Sequence, residues 1–177
     1  MAAFSEDARD RARTVRLLLL DVDGVLTDGT VYLDDNGVEG KGFNIMDGLG
    51  LNLLRRNGIQ VGIITGRDSN VVRVRAGELG IEHLVQGCKD KLAAATELAA
   101  SLGLDLSQVA FAGDDLIDLR LLSHVGLALS VPNGAPEVRD LAHHVSAVPG
   151  GRGAVREMCE LILGAQDKWD AAVEGYR

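Results

Sequence analysis

The sequence predicts an α/β fold: a doubly wound, mainly parallel sheet. Three observations lead there. Short apolar runs alternate with longer amphipathic ones along the chain. Those short runs are apolar throughout rather than at every second position, as in strands covered on both faces. Glycines stand at 58, 80 and 103, each directly after a helical stretch, where a helix C-terminus is closed. At 177 residues, with 46% apolar and 25% charged side chains, the chain can bury a core and is expected to form one domain over 1–177.

The first strand is read at 16–21, a run of four leucines ending in Asp21. Segment 30–45, TVYLDDNGVEGKGFNI, then breaks the alternation. It has two extended runs around Asp35-Asn36-Gly37, a hairpin signal. A hairpin inserted there has open edges that need cover, which a partner subunit can supply. Further strands are read at 60–65, 83–85, 109–112, 125–129 and 144–146. Helices fill the intervals at 49–57, 69–79, 91–102, 116–123, 136–142 and 154–168.

Composition excludes several classes. Aromatic residues are 3% and the formal net charge is −8 with no basic cluster, which argues against a nucleic-acid partner. No apolar run approaches the ~18 residues that span a bilayer, so no membrane association is expected. The start, MAAFSEDARDRARTVR, is charged and lacks the apolar stretch of a secretory leader. Cys88 and Cys159 are far apart and in no metal-ligand spacing, so free thiols and a cytoplasmic location are expected.

Open parallel sheets bind ligands beyond the carboxyl ends of their strands. The residues there are Asp21 and Asp23, then Thr65, Gly66 and Arg67, then Lys89, Asp90 and Lys91, then Gly113, Asp114 and Asp115, with Asp118 one turn on. Clustered carboxylates repel unless protonated or metal-bound. Oxygen ligands without His or Cys suit a hard cation, and Mg2+ suits phosphate chemistry. Lys91 or Lys89, with Arg67 and the Thr65 hydroxyl, can hold a phosphate. In extended backbone Asp21 and Asp23 face one side, with Val22 turned away. That pair supports phosphoryl transfer through an aspartyl phosphate. Asp21 attacks phosphorus; Asp23 protonates the leaving alkoxide and then activates water.

Several features have plainer readings. Asp28 and Asp47 each precede a glycine, so turn and helix-cap roles compete with substrate contact. Arg67 is divided between substrate contact and a local salt bridge. His143 and His144 are adjacent and point apart in regular structure, so no metal pair is read there. Glu39 and Lys41 lie on the hairpin, where charged side chains can simply face solvent.

In order along the chain, DVDGVLTDG, TGR, the lysine of CKDK and GDDLID resemble the four motifs of the haloacid dehalogenase superfamily of phosphatases. NGVEGKGFNIMDGLG, QGCKDK and GGRGAVREMCELILGAQDK narrow the resemblance to its capless sugar-acid phosphatases. The resemblance implies Asp21 as nucleophile, Asp23 as acid/base, and Mg2+ held by the Asp21 carboxylate, the Asp23 carbonyl and Asp114. It selects Lys91 over Lys89, places Thr65 and Lys91 on the phosphate, and has Asp115 and Asp118 orient the metal shell. It raises Glu39 and Lys41 as substrate or subunit contacts; Arg67, Gly66, Asp47 and Lys41 are the expected substrate contacts. It implies an eight-carbon sugar-acid 8-phosphate as substrate and a homotetramer whose hairpins pack together, with C-terminal tails reaching a neighbour's site. Met46 departs from the family's usual FNVRDG arginine, which keeps a nine-carbon sugar-acid 9-phosphate as the alternative substrate. A phosphoacceptor switch or a non-catalytic assembly module are the remaining alternatives.

Overall fold

The structure is a computed structural model that describes residues 4–177. In chain order it comprises α1 (Glu6–Ala12), β1 (Leu17–Leu20), β2 (Tyr32–Leu33), β3 (Glu39–Gly40), α2 (Ile45–Arg56), β4 (Gln60–Ile64) and α3 (Asn70–Glu78). There follow β5 (His83–Val85), α4 (Lys91–Ser101), β6 (Val109–Ala112), α5 (Leu119–Leu122), β7 (Leu127–Ser130), α6 (Pro136–Leu141), β8 (His144–Val145), α7 (Ala154–Ala165) and α8 (Trp169–Glu174). Six strands form one parallel sheet in the order β5-β4-β1-β6-β7-β8, and β2 pairs with β3 as a separate antiparallel hairpin.

The four leucines of β1 explain the layering. Successive side chains on a strand point to opposite faces. Leu18 and Leu20 enter a core built with α1, α2, α3 and α7. Leu17 and Leu19 enter a second core with α4, α5 and α6. All four are 0% exposed, so β1 is the central strand of a three-layer α/β/α arrangement. Leu20 is in register with Ile63 of β4 and Ala112 of β6. Asp21 donates its N–H to Ala112 O at 2.9 Å, and Thr65 donates its own to Val85 O at 3.0 Å. The residues just past β1, β4 and β6 therefore emerge side by side, where strand order reverses and ligands are bound in such sheets.

The predicted sheet and its helices are present, with instructive differences. Strands predicted to reach Asp21 and Thr65 end one residue earlier, leaving both side chains beyond the ladder. The predicted hairpin pairs only two residues on each side. Its turn is held by Asp34 Oδ1, which accepts from Asn36 N at 2.9 Å and Val38 N at 2.7 Å. Helix α2 starts at Ile45 rather than 49 because Asn44 caps Met46 N at 2.8 Å. Its glycines, poor helix formers, serve packing: a Cβ on Gly50 would lie 3.2 Å from the Arg156 Cα of α7. The helix predicted at 116–123 divides into a 3-10 turn, Leu116–Asp118, and the short α5. The cause is Asp118, whose carboxylate turns back to the N–H groups of Asp114 and Asp115 at 3.0 and 3.2 Å. Two helices were not anticipated. Helix α1, capped by Ser5, buries only Ala8 and Ala12. Helix α8 follows a break at Asp167, whose φ is 55°. Elements this short carry too few periods to be read from apolar spacing.

Leu19→Ala is expected to lower stability by about 2–5 kcal/mol, because it empties a fully packed site in the central strand. Urea unfolding of the variant against the parent checks this.

Candidate active site

Helix α4 begins at Lys91, with Asp90 as its N-cap accepting from Ala93 N at 3.0 Å. That start buries the Lys91 side chain beneath the sheet edge. Its Nζ lies 2.8 Å from Asp21 Oδ2 and 2.6 Å from Asp118 Oδ1. Burial opposes the lysine's charge, but the two carboxylates outweigh it and raise its pKa. Burial raises Asp21 to about 6, with Lys91 drawing it down and Asp118 pushing it up. Asp21 is therefore mostly an anion at neutral pH, held by Lys91 on one oxygen and by Val22 N at 2.7 Å on the other.

Asp114 faces Asp21 across the loop after β1. Gly24 allows this approach: its φ is 93°, and a Cβ there would lie 2.0 Å from Asp114 Oδ2. Burial, then Asp21, Asp118 and Asp115, raise Asp114 to about 7. Its Oδ1 is buried with no hydrogen-bond partner. Carboxylate oxygens of Asp21, Asp114 and Asp118 lie within 4.8 Å of one another. Both Asp118 oxygens already serve Lys91 and the 114–115 backbone. Asp114 is thus the carboxylate with an oxygen left to give. An orphaned, buried, all-oxygen donor set fits a hard divalent cation.

A cleft of ≈ 290 Å³ opens above this cluster, lined by Asp21, Asp23, Thr65, Gly66, Arg67 and Asp114, among others. At its rim Asp23, Lys41, Glu39 and Arg67 form a ring of alternating charge. Lys41 Nζ bonds Asp23 Oδ1 and lies 3.2 Å from Glu39 Oε1. Arg67 bonds the same Glu39 oxygen at 2.8 Å and stands 3.5 Å from Asp23 Oδ2. The structure thus brings Asp21, Asp23, Thr65, Gly66, Arg67, Lys41, Lys91, Asp114 and Asp118 to one region.

Asp115 and Asp47 are placed differently. Asp115 lines the cleft, but its carboxylate accepts from Leu116 N at 2.7 Å and caps the 3-10 turn. Asp47 caps α7 instead of reaching the cleft. Its Oδ1 accepts from Arg156 N at 2.7 Å, and burial raises its pKa against the pull of the α7 backbone amides. The two adjacent histidines diverge as expected. His143 Nδ1 accepts from Ala128 N at 2.9 Å, while His144 Nε2 lies 2.9 Å from Glu157. Asn133 carried no signal in the sequence, yet it braces the site. It donates to Gly24 O at 3.0 Å and accepts from Gly150 N at 2.8 Å, tying two loops together.

The raised carboxyls set a pH dependence for the metal-free protein. Asp21 and Asp114 shift from 3.8 to about 6 and about 7 on folding. Between about pH 4 and 7 the folded state binds more protons than the unfolded one, so stability falls as pH rises through that window. In EDTA, Asp114→Asn is expected to flatten this fall and to be more stable than the parent at pH 7.5 by about 1–2 kcal/mol, a figure discounted for partial solvent contact. The same variant is expected to lose most of the stabilisation that added Mg2+ gives the parent. Thermal unfolding with and without Mg2+ measures both.

Comparison with known proteins agrees with this geometry. A family profile described as haloacid dehalogenase-like hydrolase matches residues 81–156. The chain is 48% identical over 168 residues to 3-deoxy-D-manno-octulosonate 8-phosphate phosphatase KdsC of Yersinia pestis, covering 95% of this chain and 90% of that protein. Identity to the Escherichia coli K12 protein of the same name is 46%, covering 95% and 89%. The crystal structure of the Moraxella catarrhalis phosphatase, in complex with magnesium, phosphate and KDO, superposes with a TM-score of 0.95 at 44% identity, covering 97% of this chain and 98% of that one. A cobalt-bound Haemophilus influenzae phosphatase gives a TM-score of 0.86 at 38% identity, covering 89% and 92%. Shared sequence over nearly its whole length, on the fold and cleft described above, makes the chain a member of the 3-deoxy-D-manno-octulosonate 8-phosphate phosphatase family of haloacid dehalogenase-like hydrolases.

Proposed function

We propose that the chain is a Mg2+-dependent phosphatase that hydrolyses 3-deoxy-D-manno-octulosonate 8-phosphate to the free sugar acid and phosphate. The observation that carries this reading is the Asp21 carboxylate, paired to buried Lys91 and opposed by the orphaned Asp114 oxygen at the floor of the cleft. The magnesium, phosphate and KDO in the Moraxella catarrhalis structure support it. KDO is a lipopolysaccharide precursor, which places the reaction in that biosynthesis.

In this reading an Asp21 oxygen attacks phosphorus, and the bond from phosphorus to the sugar oxygen breaks. Asp23 gives its proton to that oxygen, then takes one from the water that cleaves the aspartyl phosphate. Lys91 and the Thr65 hydroxyl hold the phosphoryl oxygens, and Gly66 lets the substrate approach the backbone. Asp21, Asp114 and the Asp23 main-chain carbonyl are the oxygen ligands offered to Mg2+, whose chemistry when bound is to neutralise carboxylate and phosphoryl charge. Asp118 and Asp115 fix the loop that carries Asp114. Arg67, which lines the cleft, is the cation placed to meet the anionic sugar acid; Lys41, expected to touch substrate, is instead fully buried between Asp23 and Glu39.

Assembly is part of the proposal. The described residues 4–177 act as one catalytic unit in a homotetramer. Val31, Tyr32, Leu33 and Val38 on the hairpin, with Ile45 and Met46 beside it, are exposed and apolar. These exposed side chains support an interface there. Among the described residues no helix is long and apolar enough to cross a membrane, and both cysteines are free. The free thiols support a cytoplasmic location.

With Mg2+ present, the purified protein is expected to release phosphate from the 8-phosphate, and EDTA is expected to stop it. Asp21→Asn is expected to lower kcat by about 10³-fold or more, since no nucleophile remains. A higher kcat/KM for a nine-carbon 9-phosphate would move the substrate assignment, as exposed Met46 supplies no cation for a sugar carboxylate. Leu33→Glu is expected to shift the sedimenting species to smaller size and to lower activity; unchanged size would remove the hairpin from the interface.

A further inference from the structure

Glu39 makes no hydrogen bond or ion pair with Asp21, Asp23, Thr65, Lys91 or Asp114, yet it closes the charged ring at the rim of the cleft. Its carboxylate is only 16% exposed and accepts from both Lys41 and Arg67. The Lys41 side chain is fully buried, so its ammonium requires a counter-ion, which Glu39 supplies, and a further acceptor, which Asp23 Oδ1 supplies whether or not Asp23 carries its proton. Arg67 is 51% exposed and makes its short contact, 2.8 Å, with Glu39 rather than Asp23. Its Nε stands 3.5 Å from Asp23 Oδ2. A guanidinium left beside a lone carboxylate closes onto it with two parallel hydrogen bonds. Glu39 prevents this by taking the guanidinium for itself. The result is an asymmetric hold on Asp23: Lys41 grips Oδ1, and Oδ2 has only the longer 3.5 Å contact with Arg67 Nε.

We propose that Glu39 is a positioning residue for the phosphatase reaction: by retaining Arg67 it keeps Asp23 Oδ2 available to the leaving-group oxygen. This rests on the reading of Asp23 as the acid and base of the reaction. It also gives the hairpin a role in catalysis. Strands β2 and β3 do not join the main sheet, and the ring is a polar tie from β3 to the loops after β1 and β4.

The test is a double-mutant cycle read by steady-state kinetics on the 8-phosphate with Mg2+, using wild type, Glu39→Gln, Arg67→Gln and the double variant. Glu39→Gln is expected to lower kcat by about tenfold or more with KM changed by less than about threefold. In the Arg67→Gln background the same Glu39→Gln change is expected to leave kcat within about twofold of the Arg67→Gln single variant, because no guanidinium remains to capture Asp23. Circular dichroism melts establish that each variant is folded. Should Glu39→Gln not fold, Glu39→Asp, which keeps the charge one methylene further back, is expected to give an intermediate kcat with the same dependence on Arg67. An unchanged kcat in Glu39→Gln overturns the proposal. So does a loss confined to KM, which would make Glu39 a substrate contact, and so does an equal fold loss in kcat from Glu39→Gln in the wild-type and Arg67→Gln backgrounds. A wild-type protein that releases no phosphate from any sugar-acid phosphate overturns the phosphatase reading itself.

Discussion

The Lys91 ammonium lies 2.8 Å from Asp21 and 2.6 Å from Asp118, and most of the site is arranged around that contact. Three charges buried together are costly unless each is matched. One cation between two carboxylates leaves a net negative charge, and Asp114 adds to it. Burial first, and then that excess, raises Asp114 to about 7. A site that is uncomfortable when empty is suited to a divalent cation. The same buried lysine keeps Asp21 ionised near neutral pH, the state a nucleophile needs.

Asp118 shows how one side chain couples charge to backbone shape. One oxygen holds Lys91, and the other holds the N–H groups of Asp114 and Asp115. The position of Asp114 and the orientation of Lys91 are therefore not independent. The loop after β1 is braced from the opposite side. A Cβ on Gly150 would lie 1.8 Å from Gly24 O, so the two backbones meet where no side chain fits. Asn133 joins the same two segments with a hydrogen bond to each. Close backbone packing behind the catalytic loop leaves its carboxylates little freedom to move apart, which is the preorganisation that phosphoryl transfer draws upon.

Much of this was legible in the sequence. The leucine run had to be a strand buried on both faces, and strand ends had to carry the chemistry, so Asp21, Thr65, Lys91 and Asp114 were found by position alone or with the family resemblance. Charged rim residues were harder. Nothing in GVEGKG distinguishes two solvent-facing charges from two that close a ring with Asp23 and Arg67. Asp47, equally, looked able to contact substrate or cap a helix. The structure has it capping α7, more than a hundred positions further along the chain. Helices α1 and α8 were missed because two turns with few buried residues leave no periodic trace.

The sequence by itself determined the layered α/β architecture, the central place of β1 and the inventory of oxygen donors and cations at the sheet edge. Those follow from local properties: apolar runs, helix ends and the alternation of side chains along a strand. Tertiary structure alone decided which charges neutralise which. Pairing energies depend on separation and burial, and the pairs Lys41–Asp23, Lys91–Asp118 and Asp47–Arg156 join positions 18, 27 and 109 residues apart. Only the folded chain sets those distances.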